Sequence, residues 1–292
     1  MPLSKAFLTY FLKILSLFPL RLLHLLGSFL ACFLYLLPNR LKATTLINLK
    51  LCFSQKSDKE IKKLTRLSLS ETSKAFFESG KNWVTYPTRN INSIIEVEGL
   101  NYLNRSLDLK RGVILFTPHL GNIEVIIKYL SSNFTCTFPY SEIKISTAES
   151  FIKTARESMG ATMVNTSISG VRKLIDSLNN GKIIAIACDQ VPAIKSGIHS
   201  NFFGVKALTM TLVVRLALKT KSPCHSISCI RKKNGKGFQI YFSNAINKLN
   251  FLDVQEGVNH MNSQMEKCIM RAPEQYAWEY KRFKKSLFKS PY

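Results

Sequence analysis

The sequence predicts an α/β protein, a mixed sheet flanked by helices, led by an N-terminal hydrophobic membrane-anchoring helix. Three observations carry this expectation. Continuous apolar runs of buried-strand type, Gly112–Thr117 and Lys182–Cys188, alternate with amphipathic helical stretches. Asn234-Gly235 lies between two strand-like segments and marks a hairpin. From Phe7 to Leu37, only eight residues fall outside the hydrophobic class.

The apolar segment comes first. Its cleanest run, Leu22–Leu37, is shorter than the roughly 20 residues of a spanning helix and contains His24; extending it backward meets Arg21, which would have to snorkel to the headgroups. Pro38, Asn39 and Arg40 follow, so no small-residue cleavage site ends it as in a signal peptide. Two readings stay open: one marginal span, or a hydrophobic hairpin in one leaflet with a break near Pro19. A buried helix pair is the plain structural alternative. The chain therefore divides into residues 1–40, a membrane-anchoring segment, and 41–292, a catalytic-size domain with a basic tail.

Ser57-Asp58-Lys59-Glu60 is a capping box that opens an amphipathic helix to Gly80. Ile94–Val97 reads as a strand, Leu100–Leu107 as a short helix, Gly112–Thr117 as a buried strand and Ile123–Leu130 as a helix. Phe134–Phe138 is a strand, and Ser146–Met159 a helix with its own capping box (Ser146, Glu149) before Gly160. Ala161–Val164 (strand), Ser169–Asn179 (helix), Lys182–Cys188 (strand) and Ala207–Thr220 (helix) continue the alternation. The hairpin strands are Ser226–Ile230 and Phe238–Phe242, and Gln255–Met270 is the last helix.

Charge narrows the partners. The chain has 292 residues, 41 Lys+Arg against 18 Asp+Glu, and a net charge of +23. No acidic residue precedes Asp58, and the tail sets Lys281, Arg282, Lys284, Lys285 and Lys289 among Phe283, Leu287 and Phe288. Cations mixed with large apolar side chains suit an anionic membrane surface, and neither stretch contains a nucleic-acid module. A hydrophobic content of 46% with only 13 Gly and 10 Pro excludes disorder and collagen-like structure. Seven scattered cysteines without CxxC read as reduced thiols rather than a disulfide framework or zinc ribbon.

The chemistry concentrates at Thr117-Pro118-His119-Leu120-Gly121-Asn122-Ile123-Glu124, where a buried strand gives way to a helix. Open α/β sheets place their sites at that edge. Gly121 permits a close turn and Asn122 is a natural N-cap, so the loop can fold His119 back toward Glu124 in the first helical turn. An imidazole held by a carboxylate on one nitrogen is a general base at the other; equally, such a pair can simply pin a loop. H-x4-E is not the H-E-x-x-H zinc pattern, and no metal or cofactor is called for.

The wider pattern resembles the lipid A late acyltransferases, a branch of the glycerolipid-type acyltransferases. It starts with the hydrophobic N-terminus and Asn48-Leu49-Lys50-Leu51-Cys52-Phe53, and continues through His119–Glu124, similar to HxGNWE. Asp189-Gln190-Val191-Pro192, Gly197, Phe202-Phe203-Gly204, Ala207 and Thr209 follow, then Pro273-Glu274-Gln275-Tyr276-Ala277-Trp278 and Lys281-Arg282-Phe283-Lys284. The resemblance implies a glycerolipid acyltransferase-like fold and transfer of a fatty acyl chain from acyl carrier protein to a hydroxyl of a lipid A precursor. It places the chain at the bacterial inner membrane, on the cytoplasmic side, with membrane lipids as further partners and no cofactor.

Carried over, His119 is the base and Glu124 its partner. Arg156 meets an anionic headgroup or steadies the donor, and Asp189 and Gln190 lie beside the cleft. Lys281 and Arg282 bind phosphate, and Phe202 and Phe203 wall an acyl chain. Asn122 and the amides of the 123–125 turn are candidate oxyanion donors. Ile123 stands where the family has Trp, His199 and Asn201 replace an apolar residue and Pro, and Phe138-Pro139-Tyr140-Ser141 lacks an expected arginine. These departures bear on headgroup and chain preference. Another glycolipid or phospholipid acceptor, or a catalytically silent lipid-binding relative, are the rival readings.

Overall fold

A computed structural model describes residues 5–84, 93–140, 146–285 and 290–292. Ser141, the side chain of Ser146, and the tail residues Leu287, Phe288 and Lys289 lie outside them.

Among the described residues seven strands form the main sheet: β1 (Ile94–Glu98), β2 (Val113–Thr117), β3 (Cys136–Tyr140), β4 (Thr162–Asn165), β5 (Ile183–Ala187), β8 (Cys224–Arg231) and β9 (Phe238–Phe242). Their order is β1-β9-β8-β2-β5-β3-β4. Every neighbouring pair is parallel except β8 with β9, the hairpin expected at Asn234-Gly235. The sheet is therefore mixed, as expected.

Both faces are covered, which explains why the central strands are apolar throughout. On β2, Ile114 and Phe116 join one core with α8 (Ile168–Asn179), α9 (Leu212–Thr220) and α10 (Val254–Met270). Val113 and Leu115 join the opposite core with α5 (Leu100–Leu107) and α6 (Ile123–Asn133). A further helix, α7 (Ser146–Glu157), lies between β3 and β4.

One element differs. Ala207–Met210, read as the start of a helix, is strand β7 (Val205–Met210), paired antiparallel with β6 (Gly197–Phe202); the helix begins only at Leu212. Ala, Leu and Met suit a helix locally, but pairing with β6 overrides propensity.

The N-terminal apolar stretch breaks at Pro19, as the hairpin reading requires, into α1 (Lys5–Leu17) and α2 (Leu20–Leu36). Among the described residues no single helix is long and apolar enough to cross a membrane, so the anchoring helix is not found there as one continuous span; the bent pair Thr9–Leu17 and Leu20–Leu36, at 119°, passes only together, by length and composition. Both helices pack on α4 (Asp58–Trp83), which starts at the Ser57–Glu60 capping box and runs three residues past Gly80. Gly27 makes the approach possible, because a Cβ there would sit 2.8 Å from the Lys74 backbone. The inner face buries Leu12, Leu15, Leu23 and Ala31; the outer face exposes Phe7, Tyr10, Leu17, Leu25, Phe29 and Leu36. Arg21, rather than reaching outward, donates from Nε to the Asn234 carbonyl at 3.1 Å. After α2, α3 (Arg40–Cys52) leads into α4.

Candidate active site

Strand register builds the centre of the site. Thr117 pairs with Ala187 across the parallel β2 and β5. Two residues beyond each partner stand His119 and Asp189, so neighbouring strands deliver both to the same carboxyl edge of the sheet. His119 Nδ1 lies 2.6 Å from Asp189 Oδ1, and the His119 main-chain amide donates to Oδ2 at 2.9 Å. Asp189 is sealed, with 3% of its side chain accessible against 25% for His119.

Burial disfavours the imidazolium, but the charge and hydrogen bond of Asp189 outweigh it and hold the His119 pKa above the ordinary histidine value. Burial likewise works against the carboxylate, yet His119 keeps Asp189 below the usual range. With Nδ1–H donated to Asp189, Nε2 is the free basic nitrogen. The Gln190 side-chain amide lies 3.4 Å from it.

The carboxylate that braces the ring is therefore Asp189, not Glu124 as read from spacing. Glu124 turns to α7, where Arg156 donates from Nε at 3.1 Å and from Nη2 at 2.5 Å. Its charge still adds to the pull on His119. Arg156 thus arrives at the site already paired.

The loop is clamped from behind. Gly121 sits at φ +63°, and a Cβ there would collide with the Cys229 carbonyl, so glycine is required. The Gly121 amide donates to the Gln275 carbonyl at 2.9 Å, and the Ala277 amide to the His119 carbonyl at 3.0 Å. Asn48 Nδ2 in turn holds the Trp278 and Tyr280 carbonyls at 2.7 and 2.8 Å. The Asn48, His119 and Pro273–Trp278 motifs, far apart in the chain, form one clamp. Asn122 caps α6 through Oδ1 and donates Nδ2 to Glu78 at 2.7 Å. Both ends of its amide are thereby engaged within the protein.

Two cavities meet at His119. The larger, about 720 Å³, runs past Ile123, Ile127, Phe138, Met163 and Met210, with Gln190 and Arg156 also in its wall. That volume is within the ordinary range for ligand pockets. It extends from β2 across β5 and β3 to β4, three strand spacings or about 14 Å. The smaller, about 210 Å³, has Glu71, Thr72, Asn122, Glu124 and Glu279 in its lining beside Ala75, Trp83 and Ile123.

Other expected positions fall elsewhere. Phe202 is fully buried and Phe203 half-buried; neither lines the large cavity, and in the core Phe202 packs on Tyr276 while Phe203 packs on Phe53 and Trp278. Isoleucines of α6 supply the apolar wall instead. Arg282 is sealed in the same core, donating to the Leu208 carbonyl and Thr209 Oγ1 at 2.7 Å each. Lys281 is exposed, its ammonium 5.3 Å from the Tyr292 ring. Sequence reasoning missed the ion cluster under the loop. Arg231 donates to Glu78 through Nε at 2.5 Å and Nη2 at 2.7 Å, and to Glu71 at 2.8 Å. A polar residue repeated on the apolar faces of α2 and α4 (His24, Glu78) was the available signal.

A carboxylate-braced histidine thus stands at the end of the sheet and opens on a long, largely apolar cavity. The chain belongs to the bacterial lipid A biosynthesis acyltransferase family, whose profile it matches over residues 4–285. It is 26% identical over 241 residues to the lipid A biosynthesis palmitoleoyltransferase of Escherichia coli (strain K12), covering 81% of this chain and 76% of that one. It is 25% identical over 238 residues to the lipid A biosynthesis lauroyltransferase of the same organism, covering 81% and 77%. The lipid A biosynthesis acyltransferase of Haemophilus influenzae is 24% identical over 239 residues, covering 81% and 75%.

Proposed function

We propose that this acyltransferase moves a fatty acyl chain from acyl carrier protein to a hydroxyl of a lipid A precursor, with His119 as general base and Asp189 as its brace. The observation that carries the reading is the 2.6 Å His119–Asp189 contact at the mouth of the 720 Å³ apolar cavity. The acceptor hydroxyl gives its proton to His119 Nε2 as its oxygen attacks the thioester carbonyl. The tetrahedral oxyanion collapses, the carbon–sulfur bond breaks, and the imidazolium returns the proton to the departing thiolate. Gln190, beside Nε2, is the polar side chain placed to donate to the oxyanion. Glu124 and Arg156 form a bidentate pair beside the cavity, and the Glu124 charge adds to the pull on His119.

The apolar outer face of α1 and α2 seats residues 1–40 on the cytoplasmic side of the inner membrane, so an acceptor enters with its own chains still in lipid. The domain at 41–292 does the chemistry. A net charge of +23 favours an acidic carrier protein and an acceptor with phosphates.

The test is incubation of purified protein with acyl carrier thioesters and a lipid A precursor, read by mass spectrometry. The wild type forms an ester one acyl chain heavier and His119→Ala forms none; a His119→Ala enzyme that retains activity overturns the mechanism. The cavity adds a prediction. Met163 stands on β4, at the strand farthest from His119 in that part of the sheet. Met163→Trp is expected to shift the preferred chain shorter, and Met163→Ala longer. Product masses unchanged by either would take the acyl chain out of this cavity.

A further inference from the structure

The apolar hairpin carries one buried histidine that an anchor does not need. His24 is 7% accessible, and its Nε2 donates to Glu78 Oε1 at 2.7 Å. Glu78, itself 1% accessible, is a hub. On the same oxygen it receives Arg231 Nε at 2.5 Å, and on the other it receives Arg231 Nη2 and Asn122 Nδ2, each at 2.7 Å. Two of these partners touch the catalytic loop. Asn122 caps α6 immediately after His119-Leu120-Gly121, and Arg231 Nη2 also reaches the Gly121 carbonyl at 3.3 Å. An unbroken run of hydrogen bonds therefore leads from helix α2 through Glu78 to the loop that bears His119.

We propose that His24 is a positioning residue for acyl transfer: by completing the donor set of Glu78 it makes the membrane-seated hairpin part of the active site rather than an anchor alone. The physical reason is the cost of a half-satisfied buried network. A carboxylate this deep is oriented by its full set of donors, and loss of His24 leaves Oε1 held by Arg231 Nε alone, so the carboxylate can turn toward the arginine. Asn122 is held by the other oxygen of the same carboxylate, so a turn of Glu78 moves the cap of α6 and with it the loop of His119. Misplacement of a reacting group by about 1 Å can cost on the order of 100-fold in rate.

The inference rests on His119 being the base and on the hairpin lying in lipid, so the experiment carries a control for each. Compare His24→Gln, whose terminal amide nitrogen can take the place of Nε2, with His24→Asn, whose shorter amide cannot reach Glu78. For both, measure kcat and KM for donor and acceptor, sedimentation with vesicles containing anionic phospholipid, and the unfolding temperature; run His119→Ala alongside. The expected result is that His24→Asn lowers kcat by roughly 10-fold or more, with KM values, vesicle binding and cooperative unfolding retained, while His24→Gln stays within about twofold of wild type. Equal kcat in the two variants overturns the proposal, and so does a loss in His24→Asn that tracks loss of vesicle binding or of fold. Should His24→Asn fail to fold, His24→Leu, which keeps the bulk without a donor, carries the comparison with His24→Gln, and wild-type kcat in that variant overturns it. An active His119→Ala enzyme would instead mark failure of the underlying mechanism.

Discussion

Asp189→Asn is expected to lower kcat by about 10³–10⁴-fold with little change in KM, because the substitution preserves shape while removing the charge that orients and stabilises the imidazolium. The amide can present its NH₂ to Nδ1, which would place the proton on Nε2 and leave no base toward the cavity. The pH profile separates this role from simple packing. His119 must be neutral to act, and its pKa lies above 6.5, so the rising limb of kcat/KM in the wild type sits on the alkaline side of that value. Without Asp189, burial acts with less opposition, and the limb moves to lower pH as the plateau falls. Stability follows with the opposite logic for the two partners. The raised pKa of His119 contributes stability present below 6.5 and lost as pH rises through the folded-state value. The lowered pKa of Asp189 contributes stability present above 3.8 and lost as pH falls through its folded-state value. The unfolding-temperature deficit of Asp189→Asn is thus largest between those limits and shrinks in alkali. A variant with wild-type rate and an unmoved limb would remove Asp189 from the mechanism.

The contact behind that prediction explains what the sequence could and could not disclose. Gly112–Thr117 and Lys182–Cys188 are legible as buried strands because each is a short apolar run bounded by turn residues. That they lie side by side, with Thr117 opposite Ala187, is a property of the sheet order and leaves no local trace. The 70-residue separation of His119 from Asp189 therefore concealed the pair, while Glu124, five residues away, looked the nearer partner. Its side chain was claimed by Arg156 from a helix whose packing no spacing rule predicts. The same limit accounts for β6 and β7. Ser200 interrupts the apolar face of Ile198 and Phe202 in Gly197–Phe202, so the strand leaves little local signal, and its partner Ala207–Met210 reads by local propensity as helix. Pro19 and the Ser57–Glu60 box, whose effects are local, landed where they were expected.

Arg231→Met is expected to have the largest effect on stability, because it removes the cation shared by Glu78 and Glu71 while leaving both carboxylates in place. Arg231 and Glu78 have 2% and 1% of their side chains accessible, and breaking a buried pair from one side typically costs about 3–5 kcal/mol. Burial raises the pKa of Glu78, but the charge and hydrogen bonds of Arg231 prevail and hold it at about 2. Relative to an unfolded value of 4.5, that depression contributes stability present above pH 4.5 and lost as pH falls toward 2. In Arg231→Met the depression disappears, so the wild-type advantage in unfolding temperature is widest at neutral pH and narrows in acid. The double variant Arg231→Met/Glu78→Gln removes one stranded charge as well, and it should recover part of the loss if the two side chains act as one unit. Glu71 keeps Lys74 at 2.5 Å as a second cation, which is why the recovery falls chiefly to Glu78. Thermal unfolding of the wild type, Arg231→Met, Glu78→Gln and the double variant in one detergent, at neutral pH and near pH 3, decides the matter. Additive losses, or an Arg231→Met protein as stable as the wild type, would mean that the ion cluster beneath the His119 loop is not what holds it.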